Sequence, residues 1–76
     1  TYINVYPNPV SNTLFFATEM AGTNVSIFSS TGNLVSRQKV DSNNSINVSK
    51  LNTGIYFIKI NKDGKKIIKK IIKVHL

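Results

Sequence analysis

The chain contains no cysteine. That removes disulfides, thiolate metal sites and thiol nucleophiles, and it leaves the redox compartment open, because a disulfide-free chain suits oxidising and reducing surroundings alike. Acidic residues are nearly missing too: Glu19, Asp41 and Asp63 are the only ones. With a single histidine, His75, beside the C-terminus, little remains from which to build acid–base chemistry or a zinc site. Each of these residues also has a structural role to play. Asp63 sits in a turn, Asp41 in the loop Asp41-Ser42-Asn43-Asn44, Glu19 in the loop before Met20, and His75 where chains fray. No active site is expected. No apolar run approaches the roughly 18 residues of a membrane-spanning helix, and the start lacks the charged, then apolar, then small-residue order of an export signal. The glycines at 22, 32, 54 and 64 are isolated, so a phosphate-cradling loop is absent as well.

What is present points to one small folded unit. With 41% hydrophobic residues the chain is globular in composition, but at 76 residues it can bury only about 60% of the surface that its unfolded form exposes. Because it begins at Thr1 and not at Met, residues 1–76 are expected to be a single domain taken from a longer protein, with further domains upstream. The net charge of +7 is unevenly placed. Over residues 1–49, Arg37 and Lys39 cancel Glu19 and Asp41; the excess comes from Lys50, Lys59, Lys62, Lys65, Lys66, Lys69, Lys70 and Lys73 against Asp63 alone. Such a surface attracts anionic partners, and it equally suits lysines that keep a sheet edge from aggregating.

β-Branched and aromatic residues recur in short runs separated by Gly, Asn, Ser and Asp, which is the punctuation of an all-β chain. Strands are expected near Ile3 to Tyr6, Thr13 to Thr18, Thr23 to Ser29, Leu34 to Val40, Ser45 to Val48, Ile55 to Asn61 and Lys65 to Val74. About seven short strands predict an antiparallel β-sandwich. Alternation places Leu14 and Phe16, Val25 and Ile27, Ile46 and Val48, and Tyr56, Ile58 and Ile60 in its core. Asp63-Gly64 tolerates positive φ between two apolar runs and predicts a hairpin turn. Ser30-Thr31-Gly32-Asn33 predicts another, with Gly32 left-handed, so that Gly32→Val should impair folding. Pro7 and Pro9 withdraw two backbone donors and force Tyr6 and Asn8 toward extended geometry, giving a stiff elbow at an edge. Asn8 is expected to accept a hydrogen bond from the Val10 amide as an Asx turn.

The segment Lys65 to Lys73 admits two readings. As a helix it would line Ile67, Ile68, Ile71 and Ile72 along one face, the pattern of a cationic helix that lies on membranes. As a strand it would send Ile68, Ile72 and Val74 one way and Ile67 and Ile71 the other. The strand is favoured by β-branching, by the preceding Asp63-Gly64 turn and by the need of Ile55 to Asn61 for a partner. Lysines fall among the isoleucines throughout, so hydrophobicity alone does not say which face is buried. Basic charge with aromatics also invites a nucleic-acid reading, but Phe16, Phe28 and Tyr56 follow strand patterns and belong to packing.

Taken in order, four landmarks resemble one family. They are Val5-Tyr6-Pro7-Asn8-Pro9-Val10-Ser11-Asn12 leading to Leu14; Val25 to Ser29 followed by Gly32-Asn33-Leu34-Val35; Ile46 to Tyr56, including Leu51-Asn52-Thr53-Gly54-Ile55-Tyr56; and the finish Lys69-Lys70-Ile71-Ile72-Lys73. The chain thus resembles the type A C-terminal sorting domain of the type IX secretion system (Por secretion system) of Bacteroidetes. The resemblance implies an immunoglobulin-like β-sandwich behind an unrelated cargo domain, with no activity, metal or cofactor of its own. It implies passage through the periplasm, recognition by the outer-membrane translocon, and then release or cleavage by a sortase-like peptidase with attachment at the cell surface. Candidate recognition residues are Pro7, Asn8 and Pro9 of the elbow, the two prolines for rigidity, Gly54 for turn geometry, Tyr56 for packing under the turn, and Lys69, Lys70 and Lys73 for contact with an acidic translocon surface. Gly32, Leu51, Asp63 and Gly64 are expected to shape turns. Two features depart from the family pattern: Val74-His75-Leu76 extends past the last lysine, and Ile67-Ile68 makes the final strand more apolar than usual. An alternative from another class is a small adhesive or carbohydrate-binding sandwich appended to a surface enzyme, using Tyr2, Tyr6 and Phe57 as an aromatic platform.

Overall fold

The computed structural model describes residues 3–75 and is all-β, with seven strands. These are β1 (Val5–Tyr6), β2 (Thr13–Phe16), β3 (Asn24–Ser29), β4 (Leu34–Lys39), β5 (Ser45–Asn47), β6 (Gly54–Lys62) and β7 (Lys65–Lys73). They form two antiparallel sheets, β1-β2-β5 and β4-β3-β6-β7, the strand order of a small immunoglobulin-like sandwich. The alternation read from the sequence sets which faces meet. All nine of the expected core side chains are buried, from Leu14 and Phe16 on one sheet to Tyr56, Ile58 and Ile60 on the other. Ile3, Val10, Met20, Val40 and Ile71 complete the core; none of them belongs to a clean alternating run, and tertiary packing recruits them.

The final segment is a strand, and its hairpin has the expected turn. Asp63 (φ 53°) and Gly64 (φ 77°) occupy the two left-handed positions that join β6 to β7 with the twist an antiparallel pair needs. Pairing then runs without a slip from Lys62 opposite Lys65 to Gly54 opposite Lys73. This register buries Ile71 opposite Tyr56 and leaves Ile68 and Ile72 on the outer face, 64% and 38% exposed. Gly32 has φ +92° with open space around it, so a side chain there would be opposed by backbone strain and not by a clash.

Three side-chain amides do work that backbone normally does. Gln38, on β4, donates from Nε2 to the Asn47 carbonyl at 2.6 Å and accepts from the Asn47 amide at 3.2 Å, which closes the free edge of β5 from the opposite sheet. Asn44 (φ 61°) donates to the carbonyls of Phe16 and Thr18 and accepts from the Met20 amide. It holds the chain leaving β2 as that chain crosses toward β3. Nearby, Asp41 accepts from the Asn43 amide and from the amide and hydroxyl of Ser45, which confirms it as a loop-forming residue. The third amide, Asn8, belongs to the candidate site.

Candidate recognition end

The proline elbow is where the chain changes sheets. β1 pairs with β2 in the three-stranded sheet, and after Pro7-Asn8-Pro9, Val10 makes a parallel bridge to Lys73 of β7 in the other sheet. Both the Tyr6-Pro7 and Asn8-Pro9 bonds are cis. Neither proline has an amide to offer, so Asn8 supplies the bonding with its side chain. Its Nδ2 donates to the Lys70 carbonyl at 3.2 Å, and its Oδ1 accepts from the Ile72 amide at 2.9 Å. Val10 continues the seam, donating to the Ile72 carbonyl at 2.8 Å and accepting from the Val74 amide at 2.9 Å. The Asx turn expected at Asn8 is therefore not formed. The Val10 amide that would have closed it is bonded to β7, and Asn8 imitates a strand residue instead of turning on itself.

The third landmark meets the first through β7. Leu51 packs partly buried against the core, and the Tyr56 hydroxyl donates to the Asn52 carbonyl at 2.7 Å, tying the ring beneath the turn it follows. Gly54 begins β6 directly opposite Lys73, and Lys73 in turn bridges to Val10. Elbow, turn and the end of the last strand thus converge on one end of the sandwich, although the elbow lies more than forty residues before the turn and about sixty before the end of β7. In this arrangement Pro7, Asn8, Pro9 and Lys70 are exposed, Gly54 and Lys69 half-buried, and Tyr56 buried.

Lys73 corrects the expectation of a contact lysine. It faces inward in the same row as Ile71 and is 1% exposed, with Nζ donating to the Val74 carbonyl at 3.1 Å. Its hydrocarbon stem fills the end of the core as an apolar residue would. The cause is register: with Gly54 opposite it, an odd-numbered residue of β7 must point into the sandwich. Replacing a buried lysine that has one carbonyl partner by an apolar residue of similar shape is neutral or favourable, whereas reversing its charge is not. Lys73→Met is expected to keep or raise the melting temperature and Lys73→Glu to lower stability by about 3 kcal/mol or more, as followed by thermal and urea unfolding.

The aromatic platform of the alternative reading is divided. Tyr6 stacks on Phe15, ring centroids 5.7 Å apart, on the three-stranded sheet, while Phe57 pairs with Phe28 on the four-stranded one. Tyr2, like Leu76, lies outside the described residues. Among the described residues there is no cluster of three or more His, Cys, Asp or Glu side chains placed to hold a metal ion, and no helix is long and apolar enough to cross a membrane. Every buried side-chain nitrogen or oxygen there has a hydrogen-bond partner.

Fold and converging landmarks define the class first: a small antiparallel β-sandwich whose distinctive residues fix backbone at one end. A family model described as the secretion system C-terminal sorting domain matches residues 4–74, and the chain belongs to that family. It is a family of secretion sorting signals and not of enzymes, and a type IX sorting tail implies secretion to the cell surface or outside. No curated protein matches the chain. The match reaches Val74, whose amide bonds to Val10, so at least the first residue past the last lysine is part of the domain's own hydrogen bonding.

Proposed function

We propose that this domain carries an upstream cargo domain of the same chain through the type IX outer-membrane translocon, and that the end formed by the elbow, the Leu51–Tyr56 turn and β7 is the surface the machinery reads. The observation that carries this reading is the Asn8 clamp: a signal made of separated short segments is legible from outside only after folding, and Asn8 locks two of those segments together at Lys70 and Ile72. Recognition then depends on shape and charge, with Lys70 and the half-buried Lys69 offered to an acidic surface beside the rigid prolines. Tyr56, Gly54 and Lys73 support that surface from within. The domain performs no chemistry itself; after passage through the periplasm and the outer membrane, either a sortase-like peptidase removes it and attaches the cargo at the cell surface, or the cargo is released.

The test is a fusion of residues 1–76 to the C-terminus of a fluorescent reporter that carries a signal peptide, expressed in a Bacteroidetes host. Reporter at the cell surface or in the medium is the expected result. Reporter retained in the periplasm by a folded fusion would refute the proposal.

A further inference from the structure

β7 is an edge strand, and its edge is covered over only half its length. The even-numbered residues turn their backbone groups away from β6, as the bonds of Ile72 and Val74 to Asn8 and Val10 demonstrate. Because the pairing with β6 has no slip, Lys66, Ile68 and Lys70 follow the same parity. The elbow takes up the Lys70 carbonyl, both groups of Ile72 and the Val74 amide. Beyond that point β1 belongs to the other sheet, and the outward groups of Lys66 and Ile68 and the Lys70 amide have no backbone partner among the described residues. The side chains of these three residues lie on the outer face in the order cation, apolar, cation, all exposed, with Ile68 64% accessible. No acidic residue occurs on β7.

We infer that the open stretch of β7 from Lys66 to Lys70 binds an extended protein segment by strand addition, and that this segment carries a carboxylate, an apolar side chain and a carboxylate at alternate positions. This builds on the docking role proposed above for β7 and gives the partner a chemistry. Backbone bonds to Ile68 supply affinity that is blind to sequence, and the alternate side chains supply the choice. Carboxylates placed opposite Lys66 and Lys70, with an apolar residue over Ile68, match the edge in charge and in the period of a strand. A second copy of this chain is a poor occupant, since antiparallel pairing of two β7 edges about Ile68 sets Lys66 of each against Lys70 of the other, and like charges directly opposite repel. The elbow fixes where the added strand must stop, because the next edge groups are already bonded to Asn8.

The probe is a synthetic peptide with neutral ends around Asp-Thr-Ile-Thr-Asp, added to the isotopically labelled 76-residue chain. The expected result is saturable binding in which amide hydrogen exchange slows at the even positions 66, 68 and 70 while Ile67 and Lys69, already paired with β6, stay unchanged. Lys66→Glu with Lys70→Glu should weaken binding by about tenfold or more. Ile68→Pro removes the outward amide from an edge, where proline is tolerated, and should abolish binding without changing the melting temperature. Uniform or absent protection, or full binding by Ile68→Pro, would overturn strand addition, as would concentration-dependent protection at Ile68 without peptide, which assigns the edge to a second copy. Binding to phosphatidylglycerol vesicles with no response to peptide would overturn it in favour of a lipid surface. If the reporter fusion is exported but the peptide gives no alternating protection, the edge inference alone fails; if the fusion is retained, the sorting reading fails whatever the peptide does.

Discussion

Asn44→Ala should lower the unfolding free energy by about 3–4 kcal/mol in urea titrations. The side chain makes bonds of 2.8 and 2.9 Å to the Phe16 and Thr18 carbonyls and one of 2.6 Å from the Met20 amide, all partly buried. Each is worth about 1 kcal/mol net, and truncation strands partners that water reaches poorly. Alanine must also hold φ at 61°, a left-handed angle that asparagine tolerates and alanine resists by about 1 kcal/mol. A domain of this size has roughly 4–11 kcal/mol in all, so the variant approaches the threshold of folding. Asn44→Gly separates the two contributions: it relieves the backbone and should recover about 1 kcal/mol while the hydrogen bonds stay lost. A loss below about 1 kcal/mol for Asn44→Ala would mean that solvent replaces the amide, and the account of the β2–β3 connection would be wrong.

The contrast between Ile71→Lys and Ile68→Lys is expected to be larger still. The residues lie on one strand and receive the same change, yet Ile71 is 0% exposed and Ile68 64%. Placing an ammonium group at Ile71, opposite Tyr56 and within the core, should cost about 4 kcal/mol or more and bring the domain toward the threshold of folding at room temperature. At Ile68 the effect should stay within about 0.5 kcal/mol. Circular dichroism melts of the two variants measure the difference. A cationic helix would put both isoleucines on one face and penalise both substitutions alike, so equal effects would reject the register of β7.

Where strands begin and end was legible because the cause is local. Alternation over Val25 to Ile27 or Tyr56 to Ile60 commits a face, and Asp63-Gly64 or Gly32 commits a turn, through angles that neighbouring residues impose on one another. Asn8, Gln38 and Asn44 were not legible in their actual roles. Asn8 invites a turn onto itself, and Asn44 reads as one more loop asparagine, because a short amide side chain bonds its own backbone as readily as a distant strand. What selects the distant partner is the free edge that the fold brings near it. The only local hint was at Asn44, a residue type that accepts left-handed φ at the end of an Asp-Ser-Asn-Asn loop.

The candidate site divides the same way. Pro7, Asn8, Pro9 and Gly54 are residues with strong backbone preferences, and Leu51 and Tyr56 are the apolar and aromatic side chains that flank their turn; each can be read one residue at a time. That they meet at one end of a sandwich follows from β7, which faces Gly54 on one side and Val10 on the other. Lys73 makes the limit plain, for nothing in a run of lysines and isoleucines marks one lysine for burial. Composition, periodicity and turn residues were sufficient for an all-β domain of seven strands and for its landmarks, since these depend on dihedral angles and side-chain polarity within a few residues. Which edge each amide closes, which lysine is buried and which half of β7 stays open depend on register across sheets, and register exists only once distant strands have packed.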